Sequence, residues 1–314
     1  MPGKLSILIV NWRSKDYLRR CLVTVQATAQ DLAGQIVVVD GGSFDGCGEM
    51  LAAEFPAVEF VQSRDNIGFG RSNNLGFQKV NQPVLLLLNP DTELKPGALA
   101  RMLAVLQTQP DVGIVSPRLL NTDGSLQKSS VMAFPTPLNQ ALRSEFLMKA
   151  LPKSRLWGAG EAYTAHEPVP VEAVSGACML MHTELFRRLG GFRPEYFMYA
   201  EDMDLCLRAH RLGLANYHVP DAEVIHHGGG SSRTQVSQFS TVMMRVANET
   251  YMRLNHGPLT AALYRGLQAV SAAVRLLLAL PGCLLVGTAW RARAHTSMSR
   301  WWYVLRWAFG LHPS

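Results

Sequence analysis

Several short polar clusters break an otherwise apolar chain, and their residue types suit the handling of a phosphorylated ligand. Asp40, in Val39-Asp40-Gly41-Gly42-Ser43, has a carboxylate that can accept from the imide N–H of a uracil or thymine, or from a ribose hydroxyl; it can equally cap its own turn. Asp91 follows Leu88-Asn89-Pro90, where Pro90 biases Asn89 toward extended backbone. A hard oxygen ligand there suits Mg2+ or Mn2+ bridging a diphosphate, because such an ion takes one or two carboxylates and leaves its other positions to phosphate and water. An ordinary Pro-Asp turn would have the same sequence. His226, in Ile225-His226-His227-Gly228-Gly229-Gly230, offers a neutral imidazole to complete the shell around that ion. Glu201, Asp202 and Asp204 place three carboxylates in four residues at an expected helix start, where the helix dipole favours them. Neighbours on a helix diverge by about 100°, so at most one or two of the three can face one site. A carboxylate so placed can take the proton of an attacking hydroxyl; acids in a solvated first turn are the plainer explanation. Residues 66–77, rich in Gly and Asn, can present backbone amides, Arg71 and the side chains of Asn66 and Asn74 to a diphosphate or sugar, or can simply be a capped turn. They do not match the dinucleotide fingerprint, because they follow the third expected strand and not the first.

These residues need elements to hold them. Residues 5–10, 36–40, 58–62, 84–89 and 112–116 are apolar, β-branched runs that predict strands, and 15–28, 46–54, 70–80 and 96–107 predict the helices between them. Strands without polar alternation are buried on both faces, so the expected class is α/β, with a mostly parallel central sheet flanked by helices. Ligands of such sheets bind beyond the carboxyl ends of the strands, where Asn11, Asp40 and Asp91 stand. Residues 121–170 read as a long excursion. A strand over 171–181, a helix over 184–189 stopped at Gly190-Gly191, a helix over 201–212 and a short strand over 222–225 complete the pattern.

The 314 residues, 48% hydrophobic and 17% charged, suffice for a sizeable core. The formal charge of +6 is local. Residues 257–314 hold no Asp or Glu but six arginines, Arg265, Arg275, Arg291, Arg293, Arg300 and Arg306, which leaves 24 Lys and Arg against 24 Asp and Glu in the rest. A neutral body with no zinc-finger spacing and no RNP-like aromatic run predicts no nucleic-acid partner. The expected division is a catalytic domain over 1–256 and a basic, apolar helical tail over 257–314. Residues 267–290 are long enough to span a membrane but are interrupted by Arg275 and Pro281-Gly282. The tail is therefore expected to lie in the interface, its arginines toward anionic headgroups and Trp290, Trp301, Trp302 and Trp307 at the aromatic belt. Five cysteines without a CxxC pair predict reduced core thiols. The short apolar run at 5–10 lacks the length of a signal peptide, so the body is expected on the cytoplasmic side of the plasma (bacterial inner) membrane.

Six segments in this order resemble those of the inverting family 2 glycosyltransferases of GT-A fold, most nearly the bacterial rhamnosyltransferase-like branch. They are Val-Val-Asp-Gly-Gly-Ser-Phe-Asp-Gly, Asn-Ile-Gly-Phe-Gly-Arg-Ser-Asn-Asn-Leu-Gly, Leu-Leu-Asn-Pro-Asp-Thr, Val-Ser-Gly-Ala-Cys-Met-Leu, Gly-Gly-Phe with Tyr-Phe-Met-Tyr-Ala-Glu-Asp-Met-Asp-Leu-Cys-Leu-Arg, and Ile-His-His-Gly-Gly-Gly-Ser-Ser. They cover roughly residues 5–232. The resemblance implies that Asp40 contacts the nucleotide base, that Asp91 is the metal carboxylate of a DxD-like motif reduced here to Asn89-Pro90-Asp91, that Asp202 of the Glu201-Asp202 pair is the general base, and that His226 lies near metal and diphosphate. It implies a nucleoside-diphosphate sugar donor (dTDP- or UDP-linked, rhamnose favoured), Mg2+ or Mn2+, a saccharide or lipid-linked acceptor, and a role in cell-surface polysaccharide synthesis. Gly41 and Arg13 depart from the family pattern, which has Asn at both positions; both lie on the nucleotide side. A nucleotidyltransferase would need a Gly-rich, basic phosphate loop after the first strand, and Asn11-Trp12-Arg13-Ser14 is not one. A non-catalytic membrane scaffold would have no use for Asp91, Glu201 and Asp202.

Overall fold

A computed structural model describes residues 4–29, 31–151, 154–158, 160, 162–228, 238–284 and 288–311. Within them the strands are β1 (Leu5–Asn11), β2 (Ala33–Asp40), β3 (Glu59–Gln62), β4 (Val84–Leu88), β5 (Thr92–Leu94), β6 (Val112–Leu120), β7 (Val131–Met132), β8 (Val169–Val171), β9 (Ala173–Val174), β10 (Cys178–His182) and β11 (Ala215–His226). The helices are α1 (Lys15–Ala29), α2 (Cys47–Glu54), α3 (Phe69–Phe77), α4 (Ala98–Thr108), α5 (Pro137–Leu142), α6 (Glu145–Ala150), α7 (Thr183–Arg188), α8 (Glu201–Arg211), α9 (Gln238–His256), α10 (Pro258–Leu284) and α11 (Thr288–Ala308).

The chain divides into two compact units, 1–134 with 153–233, and 135–152 with 234–314. The expected boundary at 256/257 falls inside the second. The first unit is built on one sheet in the order β3-β2-β1-β4-β10-β6-β11-β5, with β8 also on β11. Every residue of β1 and β4 is buried, as unbroken apolar runs require. The sheet is parallel from β3 through β4 and again between β6 and β11. It turns mixed because β10 lies antiparallel between β4 and β6. The carboxyl ends of β1, β2, β3, β4, β6 and β11 therefore share one edge.

Two expectations about strands change. The single strand over 171–181 is broken at Ser175-Gly176-Ala177, because the Gly176 N–H leaves the sheet to bond the carboxylate of Asp202. The short strand over 222–225 is the end of the longer β11. Its pairing with β6 shifts between Val219 and Glu223, where Pro220 has no N–H to give the ladder.

In the second unit α10 packs on α9, α11 and α5. Helix α10 continues through Pro281, where the sequence predicted an interruption. One of its faces, Ala261, Tyr264, Gln268 and Ala272, is buried; the other exposes Leu259, Leu263, Val270, Val274, Leu277 and Leu278. Trp307 is buried against Tyr264 under Arg265, so it is a core residue of this unit and not a belt residue. The side chains of Trp290, Arg291 and Arg293 lie outside the described residues.

Candidate active site

The polar clusters follow one another along the shared carboxyl edge. Asn11 and Asp40 are paired in register at the ends of β1 and β2, and both are completely buried. The Asp40 carboxylate accepts from Asn11 Nδ2 at 3.1 Å, Gln62 Nε2 at 2.8 Å, the Ser43 hydroxyl, and the backbone N–H groups of Ser43 and Phe44 at 3.0 Å. Burial pushes this carboxyl up, but the bonds from Ser43, Gln62, Phe44 and Asn11 outweigh it and hold the group below the usual carboxylate range. The carboxylate thus caps its own turn, one of the two uses the sequence allowed it. Asp40, Asp45 and Cys47 present ligand-type atoms within 4.8 Å of one another. Asn11 Nδ2 also donates to Asp45, and burial raises the Cys47 thiol, so this group is held together by N–H donors and a protonated thiol, a poor setting for a hard cation.

Asp91 sits in the β4–β5 turn and is buried. Pairing of β5 with β11 sets Thr92 opposite His226, and the His227 N–H closes on the Asp91 carbonyl at 2.9 Å. The result is a His226 Nε2 to Asp91 Oδ1 distance of 3.3 Å. The ring orientation follows from Gln127. Its Nε2 faces two oxygen acceptors, Asn121 Oδ1 at 3.1 Å and the His226 carbonyl at 3.3 Å. Its Oε1 must then face His226 Nδ1, at 2.7 Å, and accept from it. A neutral His226 carries its proton on Nδ1 and turns the Nε2 lone pair toward a carboxylate oxygen. Two acceptors at that separation match neighbouring positions on an octahedral ion with bonds of about 2.1 Å, so the residues present fit Mg2+ or Mn2+. His227 is held elsewhere, by Glu93 and Thr122. The glycines at 229–230 and the serines after them lie outside the described residues.

The three carboxylates of α8 separate into different environments. Asp204 is fully buried and receives Arg193, Arg208 and the Tyr196 hydroxyl, which makes it the anchor of the preceding loop. Asp202 is half-buried and accepts the Gly176 N–H at 2.9 Å on Oδ2 and the Met203 N–H at 2.8 Å on Oδ1, one on each oxygen. Its other lone pairs are not used by these bonds. Glu201 is buried, and its Oε2 has no hydrogen-bond partner. Burial, with the adjacent charge of Asp202, pushes the Glu201 carboxyl up to about 8, while burial also raises Asp202. A protonated Glu201 beside an ionised Asp202 is the arrangement that leaves one negative charge, and the amides put that charge on Asp202. Tyr199 and Ala200 adopt left-handed backbone, φ 72° and 65°, just before this helix. Such strain persists only where the surroundings impose it.

The segment over 66–77 supplies those surroundings. Gly68 has φ 88°, and a Cβ there would lie 2.2 Å from the Phe197 carbonyl, which accepts from the Phe69 N–H at 3.0 Å. Asn74 bonds both backbone groups of Phe192, at 2.7 and 2.9 Å. Arg71 Nε donates to the Pro194 carbonyl at 2.8 Å, and Asn66 caps Gly68. Arg71 and Asn74, expected on the donor, thus also clamp the loop that delivers Glu201 and Asp202, while Asn66 holds the turn into α3. The turn Gly176-Ala177 then links the Asp202 carboxylate to the β4–β5 turn that carries Asp91, since the Gly176 N–H bonds Asp202 and the Ala177 carbonyl accepts the Asn89 N–H at 2.9 Å. Gln127 was missing from the sequence reading, and Gly176 stood in it only within the segment Val-Ser-Gly-Ala-Cys-Met-Leu, without a role. The signal available for Gln127 was its place after the Asp123-Gly124 turn; for Gly176, only that a glycine interrupts an apolar run.

The family model described as "Glycosyltransferase like family 2" matches residues 2–248. An N-acetylglucosaminyl-diphospho-decaprenol L-rhamnosyltransferase of Mycobacterium tuberculosis is 26% identical over 245 residues, 74% of this chain and 78% of that one. The rhamnosyltransferase WbbL of Escherichia coli K12 is 25% identical over 243 residues, 74% of this chain and 86% of that one. Among solved structures, a mannosyltransferase from Pyrobaculum calidifontis, in complex with GDP-Man and Mn2+, superposes with a TM-score of 0.56 at 15% identity, over 98% of this chain and 86% of the other; at that identity the likeness speaks for the fold alone.

Proposed function

The chain belongs to glycosyltransferase family 2 and has the GT-A fold, and from that premise we propose that it is an inverting, divalent-cation-dependent sugar transferase working at the cytoplasmic face of a membrane. The donor proposed is a dTDP- or UDP-sugar, with rhamnose favoured by the names of two relatives, and the acceptor is a saccharide carried on a lipid. Polysaccharide synthesis at the cell surface is the process that uses such a product.

The observation that carries this reading is that Asp91 with His226, and Asp202 with Gly176, belong to one strand-end edge and are joined through Asn89 and Ala177. Asp91 and His226 would hold Mg2+ or Mn2+, which when bound supplies positive charge to the departing diphosphate. Asp202 takes the proton of the acceptor hydroxyl as the oxygen attacks the anomeric carbon. The bond from that carbon to the diphosphate breaks on the opposite face, so the configuration inverts. The Gly176 and Met203 amides keep the Asp202 carboxylate aimed, and a protonated Glu201 spares it a second adjacent charge. The guanidinium donors of Arg71 that Pro194 does not take are left for the diphosphate. Asn11, Asp40, Asn66 and Asn74 shape the donor side by holding its loops.

The second unit exposes the stripe Leu259, Leu263, Val270, Val274, Leu277 and Leu278 on α10, and Leu138, Leu142 and Phe146 on α5 and α6. Residues Pro258–Leu280 are long and apolar enough to cross a bilayer by length and composition. With Arg275 in its middle, we read α10 as lying in the interface. The test of the whole reading is incubation with a panel of nucleotide sugars, Mg2+ or Mn2+ and a short-chain polyprenyl diphosphate saccharide. Release of a nucleoside diphosphate with transfer of the sugar is expected; no transfer from this panel, with release of inorganic pyrophosphate from a nucleoside triphosphate and a sugar 1-phosphate in a parallel incubation, would instead identify a nucleotidyltransferase.

A further inference from the structure

The second unit holds a cluster of arginines that the reaction does not use. The guanidinium carbons of Arg275, Arg300 and Arg245 lie 4.2, 5.5 and 5.6 Å from the centre of one indole ring, that of Trp301. Residues 135–152 and 234–314 carry ten Lys and Arg against two carboxylates, Glu145 and Glu249. Glu249 is paired with Arg265 at 3.2 Å. Arg245 is 9% exposed, and its recorded bond is to the Thr241 carbonyl at 3.0 Å. Burial pushes its guanidinium down to about 10, and the charges of Arg300, Arg275 and Arg143 push the same way. Stacking on an indole attracts a cation but does not neutralise it. Buried charge of one sign calls for an opposite charge.

We propose that Arg245, Arg275 and Arg300, gathered round Trp301, form a binding site for a phosphate group carried by a lipid. Guanidinium forks match phosphate oxygens in shape and charge. Their exposure is graded: Arg245 buried, Arg275 half-buried, Arg300 exposed, so the cluster opens to one side. Arg275 is fixed by the Ala141 and Arg143 carbonyls at 3.3 and 2.9 Å, which holds it in place before a ligand arrives. Exposed apolar residues stand beside the charges: Val274, Leu277 and Leu278 flank Arg275 on α10, and exposed Trp302 adjoins Trp301. Phosphate chemistry next to an apolar face fits a lipid better than a soluble nucleotide. The phosphate can come from the diphosphate of a lipid-linked acceptor or from the headgroup of an anionic phospholipid. The inference rests on the reading that this unit meets a membrane.

The experiment uses the full chain and two charge-matched variants. One is Arg275→Gln with Arg300→Gln; the other, a control, is Lys149→Gln with Arg253→Gln, both exposed positions of the same unit. Binding is measured to a polyprenyl diphosphate in neutral detergent micelles, to phosphatidylcholine vesicles, and to phosphatidylcholine vesicles containing phosphatidylglycerol. The cluster variant should lose at least about tenfold in affinity for the diphosphate, for the anionic vesicles, or for both, as expected for losing charge-assisted hydrogen bonds, while the control stays within about twofold. Loss on the diphosphate alone identifies the acceptor as the source; loss on the anionic vesicles alone identifies the headgroup. Equal losses in both variants, or none in the cluster variant, overturn the site. Neutral vesicles report the apolar faces separately, so a failed cluster with intact neutral-vesicle binding leaves the membrane reading standing. If the double variant unfolds, the single Arg300→Gln at the exposed position answers the same question.

Discussion

Nε2 of His226 lies 3.3 Å from Oδ1 of Asp91, and the bond from His226 Nδ1 to Gln127 turns a lone pair toward that carboxylate. A neutral imidazole and a carboxylate in that relation repel unless a cation or proton stands between them. Gln127 is thereby a positioning residue. Gln127→Leu should weaken Mn2+ binding by about tenfold or more, the range for losing the group that orients a metal-binding histidine, and Gln127→Glu, which still accepts from Nδ1, should restore it. Calorimetric or EPR titration with Mn2+ in the absence of donor checks this. Unchanged affinity in Gln127→Leu would remove Gln127 from the metal site.

Glu201 gives a pH signature. Its pKa in the folded protein is raised to about 8 from an ordinary 4.5. Between those values the native state holds a proton that the unfolded chain has released, so stability falls as pH rises through this window, by up to about 1.4 kcal/mol per pH unit. Glu201→Gln should flatten the fall in melting temperature between pH 5 and 8 and keep most of the turnover. An equally steep fall in the variant would show that Glu201 is not its source.

Asn74 holds Phe192 through both of its amide atoms. Asn74→Ala leaves two backbone groups without partners and should cost about 1–3 kcal/mol in stability. Because this loop leads into the left-handed pair Tyr199-Ala200, turnover should fall more than donor affinity does. A variant that loses donor affinity and keeps its turnover at saturation would return Asn74 to direct donor contact.

The exposed stripe of α10 can be tested without disturbing its packed face. Leu263→Gln with Val270→Gln, at positions 57% and 61% exposed, should leave the melting temperature nearly unchanged and sharply reduce sedimentation with phosphatidylcholine vesicles. Undiminished sedimentation would contradict interfacial binding by this face.

The parallel half of the sheet was legible because β1, β4 and the second half of β2 are buried on both faces and so carry no polar alternation. Asp91 and His226 were legible as ligand types, but their proximity was not, since it depends on the antiparallel pairing of β5 with β11 across distant sequence. The three acids of α8 read alike in the sequence. They part only in three dimensions, Asp204 to Arg193 and Arg208, Asp202 to the Gly176 amide, Glu201 to a buried position where its Oε2 has no hydrogen-bond partner. The bonds of Arg71 and Asn74 to the backbone of Pro194 and Phe192 were not legible, because polar residues in glycine-rich loops look the same whether they bind a ligand or a neighbouring backbone; Asp40 was legible both as a cap of its turn and as a ligand contact. The tail misled at Pro281 and Trp307 for a related reason: helix continuity and burial there are decided by packing among α9, α10 and α11.

The account divides the work between Asp91, which serves the donor, and Asp202, which serves the acceptor. Asp202→Asn keeps the side chain's shape and removes its basicity. In a single-turnover experiment with donor, Mg2+ and lipid-linked acceptor, it should bind the nucleotide sugar about as well as the unaltered protein and transfer it at least about a hundredfold more slowly, as expected for loss of a general base. Transfer at an undiminished rate would contradict the assignment of Asp202 and with it the mechanism.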